Sequence, residues 1–342
     1  MSEHKHNVVI LGGSGTQAWR YLARLDEFDV TVIAPATDSG GNTGFINMFE
    51  GSNVLVSGDL GKIAAAFLPG GGDNSARRFL THRIQFDPLK GYTVGNIAQI
   101  AAHELAGSHT EALDLLADIF PFNARLLLAT ETMPILCAKY SEGAVVRHEH
   151  ALDDTRYDQK GSIEKLWTEP EDISATPSVV EAIESADYVI LGPGNVFNSK
   201  GAVLVVPGMR KAIEHARTQG ARVIDVVNLM TKVGHTAGLT AREHVDIVLD
   251  QFNIPLDAVF VNNEPIAPEA VLRYEAAGAE LVRHTLGERY RDLTIYADDL
   301  VDRNPQEPVP GDTVSRSYLR HDPIALHSLF LQYHRRCMRE GS

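Results

Sequence analysis

Cysteine is nearly missing from this chain: two of 342 residues, Cys137 and Cys337. Far apart in sequence, they form no disulfide framework and have no metal-ligand spacing, which points to a reducing compartment. Long apolar runs are missing as well. None approaches the roughly 20 residues needed to cross a bilayer, and the first residues carry no signal-peptide core. A cytoplasmic protein with no membrane span is therefore expected. Positive charge is in deficit, with 31 Lys and Arg against 45 Asp and Glu, a net charge of −14. That argues against a general nucleic-acid or membrane-surface binder, but it leaves room for a local basic site holding a phosphorylated ligand. Several catalytic signatures are also lacking. There is no Gly-x-Ser-x-Gly elbow, no His-Glu-x-x-His, and no Gly-Lys-Ser or Gly-Lys-Thr of a P-loop.

What is present is ordinary globular composition, 44% apolar and 22% charged, with a repeated strand-and-helix pattern. The run Val8, Val9, Ile10, Leu11 breaks into Gly12, Gly13, Ser14, Gly15 and Thr16. Trp19, Leu22, Ala23 and Leu25 then recur at roughly helical spacing. This reads as a buried strand, a glycine turn and a helix start. Glycines let backbone N–H groups approach a ligand, and a helix start adds unpaired donors, so the turn suits an anion such as phosphate. A tight turn with no ligand is the plainer reading. On the phosphate reading, Gly15→Val is expected to abolish nucleotide binding and leave the fold intact.

Residues 30–34 read as a second strand, followed by a second glycine-rich loop with Asp38, Ser39, Gly40, Gly41 and Asn42. Residues 54–56 read as a third strand, ending in Ser57, Gly58 and Asp59. Asp38 and Asp59 are then carboxylates at successive strand ends, although Asp is also a common helix N-cap. Asn96 stands where an N-cap is expected for a helix over 97–105. Three short runs between 125 and 150 read as a small antiparallel insert with a hairpin turn at 141–143. Residues 150–177 read as a polar surface excursion. His148 and His150 flank Glu149 on an expected strand and read as exposed residues rather than metal ligands. The alternating pattern returns at 179–263, with strands at 187–191, 223–227 and 258–263, and a terminal helix covers 324–335. The expected fold is α/β: a doubly wound, mostly parallel, Rossmann-like sheet with a small antiparallel insert. The chain reads as one nucleotide-binding domain over residues 1–342, with the insert at about 125–177.

Gly13 to Ala18 satisfies the Gly-x-Gly-x-x-Ala dinucleotide pattern, but Ala34, Pro35 and Ala36 stand where a ribose-binding acid is wanted. Six motifs taken in order are more specific. The first loop, 12–16, is similar to a Gly-Gly-Thr-Gly-Thr form. Residues 38–44 are similar to Asp-Asp-Gly-Gly-Ser-Ser-Gly. Gly58 and Asp59 match a Gly-Asp-Ile/Leu core, and Gly95 and Asn96 a Gly-Asn helix entry. Gly192, Pro193, Gly194, Asn195 and Ser199 fit a Gly-Pro-Gly-Ser-Leu-Tyr-Thr-Ser element. Asn228, Met230 and Thr231 fit Asn-x-Met-Thr, followed by His244 of an Asp-His element. In this the chain resembles the CofD-like superfamily, which includes the 2-phospho-L-lactate transferases and the YvcK-type gluconeogenesis factor proteins. The resemblance runs over about residues 7–285, with His321, Asp322 and Pro323 beyond.

The resemblance implies a nucleotide or nucleotide sugar of UDP-sugar type bound across the strand edges by a regulatory protein linked to carbon metabolism and cell-envelope precursor supply. Its alternative is a transferase moving a phospholactyl group from a nucleotide-activated donor to a deazaflavin precursor, with Mg2+ as its possible cofactor. Either way the loop amides take phosphates, while Asp38 and Asp59 take a sugar hydroxyl, a transferred proton or a metal. The chain departs from the family pattern at Ser39, Phe45 and Gly61, where the family has an aspartate and two arginines. Homo-oligomerisation stays open.

Overall fold

In the computed structural model of the protein, residues 5–37, 56–70, 74–152, 161–304 and 318–340 are described. Among the described residues, eight strands form the main sheet, in the order β10-β11-β9-β8-β7-β1-β2-β3. They are β1 (His6–Leu11), β2 (Phe28–Ala34), β3 (Arg125–Leu128), β7 (Tyr188–Leu191), β8 (Arg222–Val226), β9 (Ala258–Asn262), β10 (Arg289–Tyr290) and β11 (Leu293–Asp298). Every pairing is parallel except the short β10–β11 hairpin. The remaining strands, β4 (Ile135–Tyr140), β5 (Val145–Arg147) and β6 (Ile163–Glu169), make an antiparallel sheet in the order β5-β4-β6.

Period-two alternation explains the two-faced core. Val8, Ile10, Val30, Val32, Ile190, Ile224 and Phe260 bury on one face, with Leu60, Ile63, Phe67, Leu326 and Phe330 from the helices there. Val9, Leu11, Ile33, Val189, Leu191, Val223 and Val259 bury on the other, with Val179, Ile213 and Val245. The small sheet joins this second face through Leu136, Ala138, Tyr140, Val146, Ile163 and Leu166. A parallel sheet covered by helices on both faces is the doubly wound arrangement.

Some local expectations need correcting. The chain after the first loop is not an α-helix but two short 3-10 turns, Ser14–Trp19 and Leu22–Arg24, with Thr16 N–H bonded to Gly13 O at 3.0 Å. So short a segment lacks the aligned peptide dipoles that a long helix would bring to an anion. Residues 125–128 belong to the main sheet beside β2, not to the insert. The excursion after residue 150 contains β6, so the insert is built from 135–147 and 163–169. Val56 is buried outside any strand, and Ser57 caps the helix Gly58–Ala66 by accepting from Leu60 N–H. Asp59 thus comes from a helical first turn. Residues 54, 55 and the whole of Asp38, Ser39, Gly40, Gly41 and Asn42 lie outside the described residues. His148 has a left-handed backbone (φ 74°), which ends β5, and His150 sits in the turn of helix Glu149–Leu152 rather than on a strand. The helix Ala241–Asp246 passes directly into a π-helical turn at Ile247–Gln251. The terminal helix runs further than expected, Pro323–Glu340.

Candidate functional site

Strand order reverses at β1. From β1 the chain passes to β2 on one side and only later to β7 on the other. In open α/β sheets the crevice outside the strand ends at such a reversal is where ligands sit. The first glycine loop follows β1, and Gly192 to Ser199 follow β7, so both edge that crevice.

The two loops touch. Gly13 N–H donates to Ser199 Oγ at 2.8 Å, and Thr16 Oγ1 donates back to Gly13 O at 2.8 Å. A Cβ on Gly15 would stand 1.8 Å from the Pro193 carbonyl oxygen, and one on Gly192 2.8 Å from Thr16 Cγ2. Glycine at 15 is therefore a packing requirement between the loops as much as an opening for a ligand, so Gly15→Val would not leave the fold intact as the sequence reading expects. Gly194 adopts φ 150°, and a Cβ there would meet Ser199 Oγ at 2.5 Å. Asn195 caps the π-helical turn Val196–Gly201, its Oδ1 accepting from Phe197 N–H (2.9 Å) and Asn198 N–H (3.1 Å). That leaves Asn195 Nδ2 buried with no acceptor among the described residues. π-turns concentrate at functional sites.

Asp59 reaches the same loop. Its Oδ2 lies 2.3 Å from where a Gly13 Cβ would be. Lys62 Nζ donates to its other oxygen at 3.1 Å, and the carboxylate is 25% exposed. Burial would push this carboxyl up, but the Lys62 ammonium and the N–H and hydroxyl of Ser14 outweigh it, so it titrates below the ordinary carboxylate value. Gln99 fixes the turn that presents Asp59: its Oε1 accepts from Ser57 N–H at 3.0 Å.

Behind the loops lies a buried polar centre whose ion pair sequence reading missed, although His244 and His321 beside it were among the motif residues. Lys200, next to Ser199, is 2% exposed and pairs with Asp225, 0% exposed, near the end of β8. Its Nζ also donates to Val226 O at 2.6 Å, while Asp225 Oδ2 has no partner among the described residues. Two buried histidines lie within the field of Lys200. His244 donates from Nδ1 to Thr240 O at 2.9 Å, and His321 from Nε2 to Val227 O at 3.1 Å. These bonds fix the neutral tautomers. Burial, aided by the Lys200 charge, drives His321 down to about 4, and burial also lowers His244. His235 is held between Leu152 O (2.7 Å from Nε2) and Asn195 Oδ1 (3.3 Å from Nδ1), tying the insert region to the second loop.

The other sequence candidates have structural duties. Thr93, not Asn96, is the N-cap of helix Val94–Leu105; Asn96 is its third residue and closes the capping box, accepting from Thr93 N–H at 3.0 Å. Asn228 Nδ2 donates to Met230 O at 2.8 Å. Met230 packs with Leu229, Ile266 and Val301, and Thr231 Oγ1 accepts from Glu280 N–H at 2.8 Å. Gly58 opens the helix that carries Asp59. Among the described residues no three His, Cys, Asp or Glu side chains gather as a metal site, and no helix is long and apolar enough to cross a membrane.

The family profile of 2-phospho-L-lactate transferase CofD matches residues 8–301. A Bacillus subtilis protein named gluconeogenesis factor is 25% identical, over 97% of this chain and 98% of its own. Proteins of Aquifex aeolicus and Thermotoga maritima, provisionally given the same name, are 28% and 29% identical, over 96% and 93% of this chain and 96% of each relative. Among solved structures, protein BH3568 from Bacillus halodurans superposes with a TM-score of 0.81 over 95% of this chain and 99% of its own, at 22% identity, a likeness of fold. Profile and full-length relatives agree with the switch-point crevice and its paired glycine loops: the chain belongs to the CofD family, alongside the gluconeogenesis factors.

Proposed function

We propose that this protein binds a nucleotide or nucleotide sugar, of UDP-sugar type, in the crevice between the β1 and β7 loops, and acts as a regulatory protein rather than a transferase. The observation that carries the reading is the meeting of Gly12–Thr16 with Gly192–Ser199 at the strand-order reversal. Two glycine-rich loops in van der Waals contact bring backbone donors from both strands to one crevice, which suits a linked pair of phosphates. The full-length relatives named gluconeogenesis factor favour the regulatory branch over the transferase that gives the profile its name.

The donor set leans the same way. Mg2+ belongs to the transferase reading, and it prefers several hard oxygen ligands. Among the described residues Asp59 is the carboxylate that reaches the loop, and Lys62 already pairs with it. A thermal-shift screen against UDP-sugars, GDP, NAD and deazaflavins, with and without magnesium, tests the proposal, since a ligand bound only by the folded state raises its stability. A shift with UDP-sugars that is independent of magnesium is expected. No shift with any of them would sink it.

A further inference from the structure

The glycine loop is already occupied by the protein's own oxygens. Gly12 N–H goes to Ile33 O (3.1 Å), Gly13 N–H to Ser199 Oγ (2.8 Å), and Thr16 N–H to Gly13 O (3.0 Å). The Asp59 carboxylate lies over Gly13, so close that a Cβ there would clash with it at 2.3 Å. A phosphate oxygen arriving at this loop meets a hydroxyl on its best donor and a negative charge beside it.

From this geometry we infer that Ser199 and Asp59 are specificity-determining residues that act by holding the seat against weak anions. The inference rests on the nucleotide reading and deepens it. Binding is an exchange: the ligand oxygen takes Gly13 N–H from Ser199 Oγ and displaces the Asp59 carboxylate from the N–H and hydroxyl of Ser14, leaving it Lys62 as its counter-ion. A single small anion gains donors of the first loop alone and still faces the displaced charge. A diphosphate also reaches the second loop, where Asn195 Nδ2 has no acceptor among the described residues, and can offset the displacement. The seat therefore selects linked phosphates, as in a nucleoside diphosphate or its sugar ester, over orthophosphate or sulfate. The competing role for Asp59, accepting a bond from a ligand hydroxyl, predicts the opposite response to neutralising it.

The test uses the full chain with Asp59→Asn and Ser199→Ala, and calorimetric titration with UDP and with sulfate. Asp59→Asn removes one charge at short range, and should tighten UDP by about tenfold and give sulfate measurable binding. Ser199→Ala frees one neutral donor and should tighten UDP by about threefold. Weaker or unchanged UDP binding in Asp59→Asn would overturn the inference and make Asp59 a direct ligand contact. A second readout needs no ligand. The Gly13 amide should exchange slowly with solvent deuterium in the parent protein, and at least about tenfold faster in Ser199→Ala once its acceptor is gone. Equal exchange in both would overturn the inference. If UDP binds none of the forms, the nucleotide reading falls, and sulfate binding together with Gly13 exchange still decides whether these side chains guard the loop.

Discussion

Lys200 and Asp225 form an ion pair with almost no exposed surface, linking the turn that carries Ser199 to the end of β8. Burying two charges is costly, and the pair recovers that cost only while both partners are present.

Lys200→Met should therefore destabilise the protein by about 3–5 kcal/mol, since it strands a buried carboxylate. Adding Asp225→Leu should restore most of the loss. Urea denaturation of the two variants checks this; a single variant within about 1 kcal/mol of the parent would show that the pair is not needed for stability.

Gly15→Ala should lower the urea midpoint without changing the slope, by about 1–3 kcal/mol in stability. The added methyl meets the Pro193 carbonyl at 1.8 Å unless the loops separate. An unshifted midpoint would mean that the two loops part freely.

His321 and His109 are both driven by burial down to about 4 from an ordinary 6.5. Each protonates more readily in the unfolded chain, so their contribution to stability is fully present above pH 6.5. It shrinks as the pH falls from 6.5 to about 4, and is gone below that. Each can contribute up to about 3 kcal/mol across this window. Denaturation in pH steps should show stability falling between 6.5 and 4, with a shallower fall in His321→Gln. An identical slope in that variant would remove His321 from the titration.

Ligand binding should persist in excess chelator, and Asp38→Asn should weaken it by about 1–3 kcal/mol, the range for losing a charged hydrogen-bond partner. Calorimetric titration with and without chelator separates the outcomes. Collapse on removing magnesium, with recovery on restoring it, would favour the transferase branch.

The sequence carried the sheet because its strands alternate or run wholly apolar, as in residues 8–11 and 188–191. Turn chemistry placed the first glycine loop, and Gly143 (φ 87°) marks the hairpin turn expected at 141–143. The insert was harder. Leu126 to Leu128 is too short an apolar run to show which sheet it joins, and the β4–β6 register shifts between Lys139 and Tyr140, which blurs the alternation. The buried centre had no local signal. Lys200 directly follows Asn198 and Ser199, as a surface lysine would, and its partner is 25 positions on, in a strand that only the fold brings alongside. The contact between Asp59 and Gly13 likewise depends on the helix Gly58–Ala66 docking over the first loop.

The placement of β7 beside β1 also has a consequence for the order of events during synthesis. The Gly13–Ser199 bond joins residues 186 positions apart. At about 5–20 residues per second, the ribosome needs about 10–40 s to supply the second loop after the first. Throughout that interval the edge of β1 that β7 will cover is unpaired, and the crevice has only one wall. A ligand that needs both loops would find no complete site on the amino-terminal half alone. Such a ligand would stabilise only a chain already extended past β7, so its scarcity should affect the finished protein rather than the nascent one.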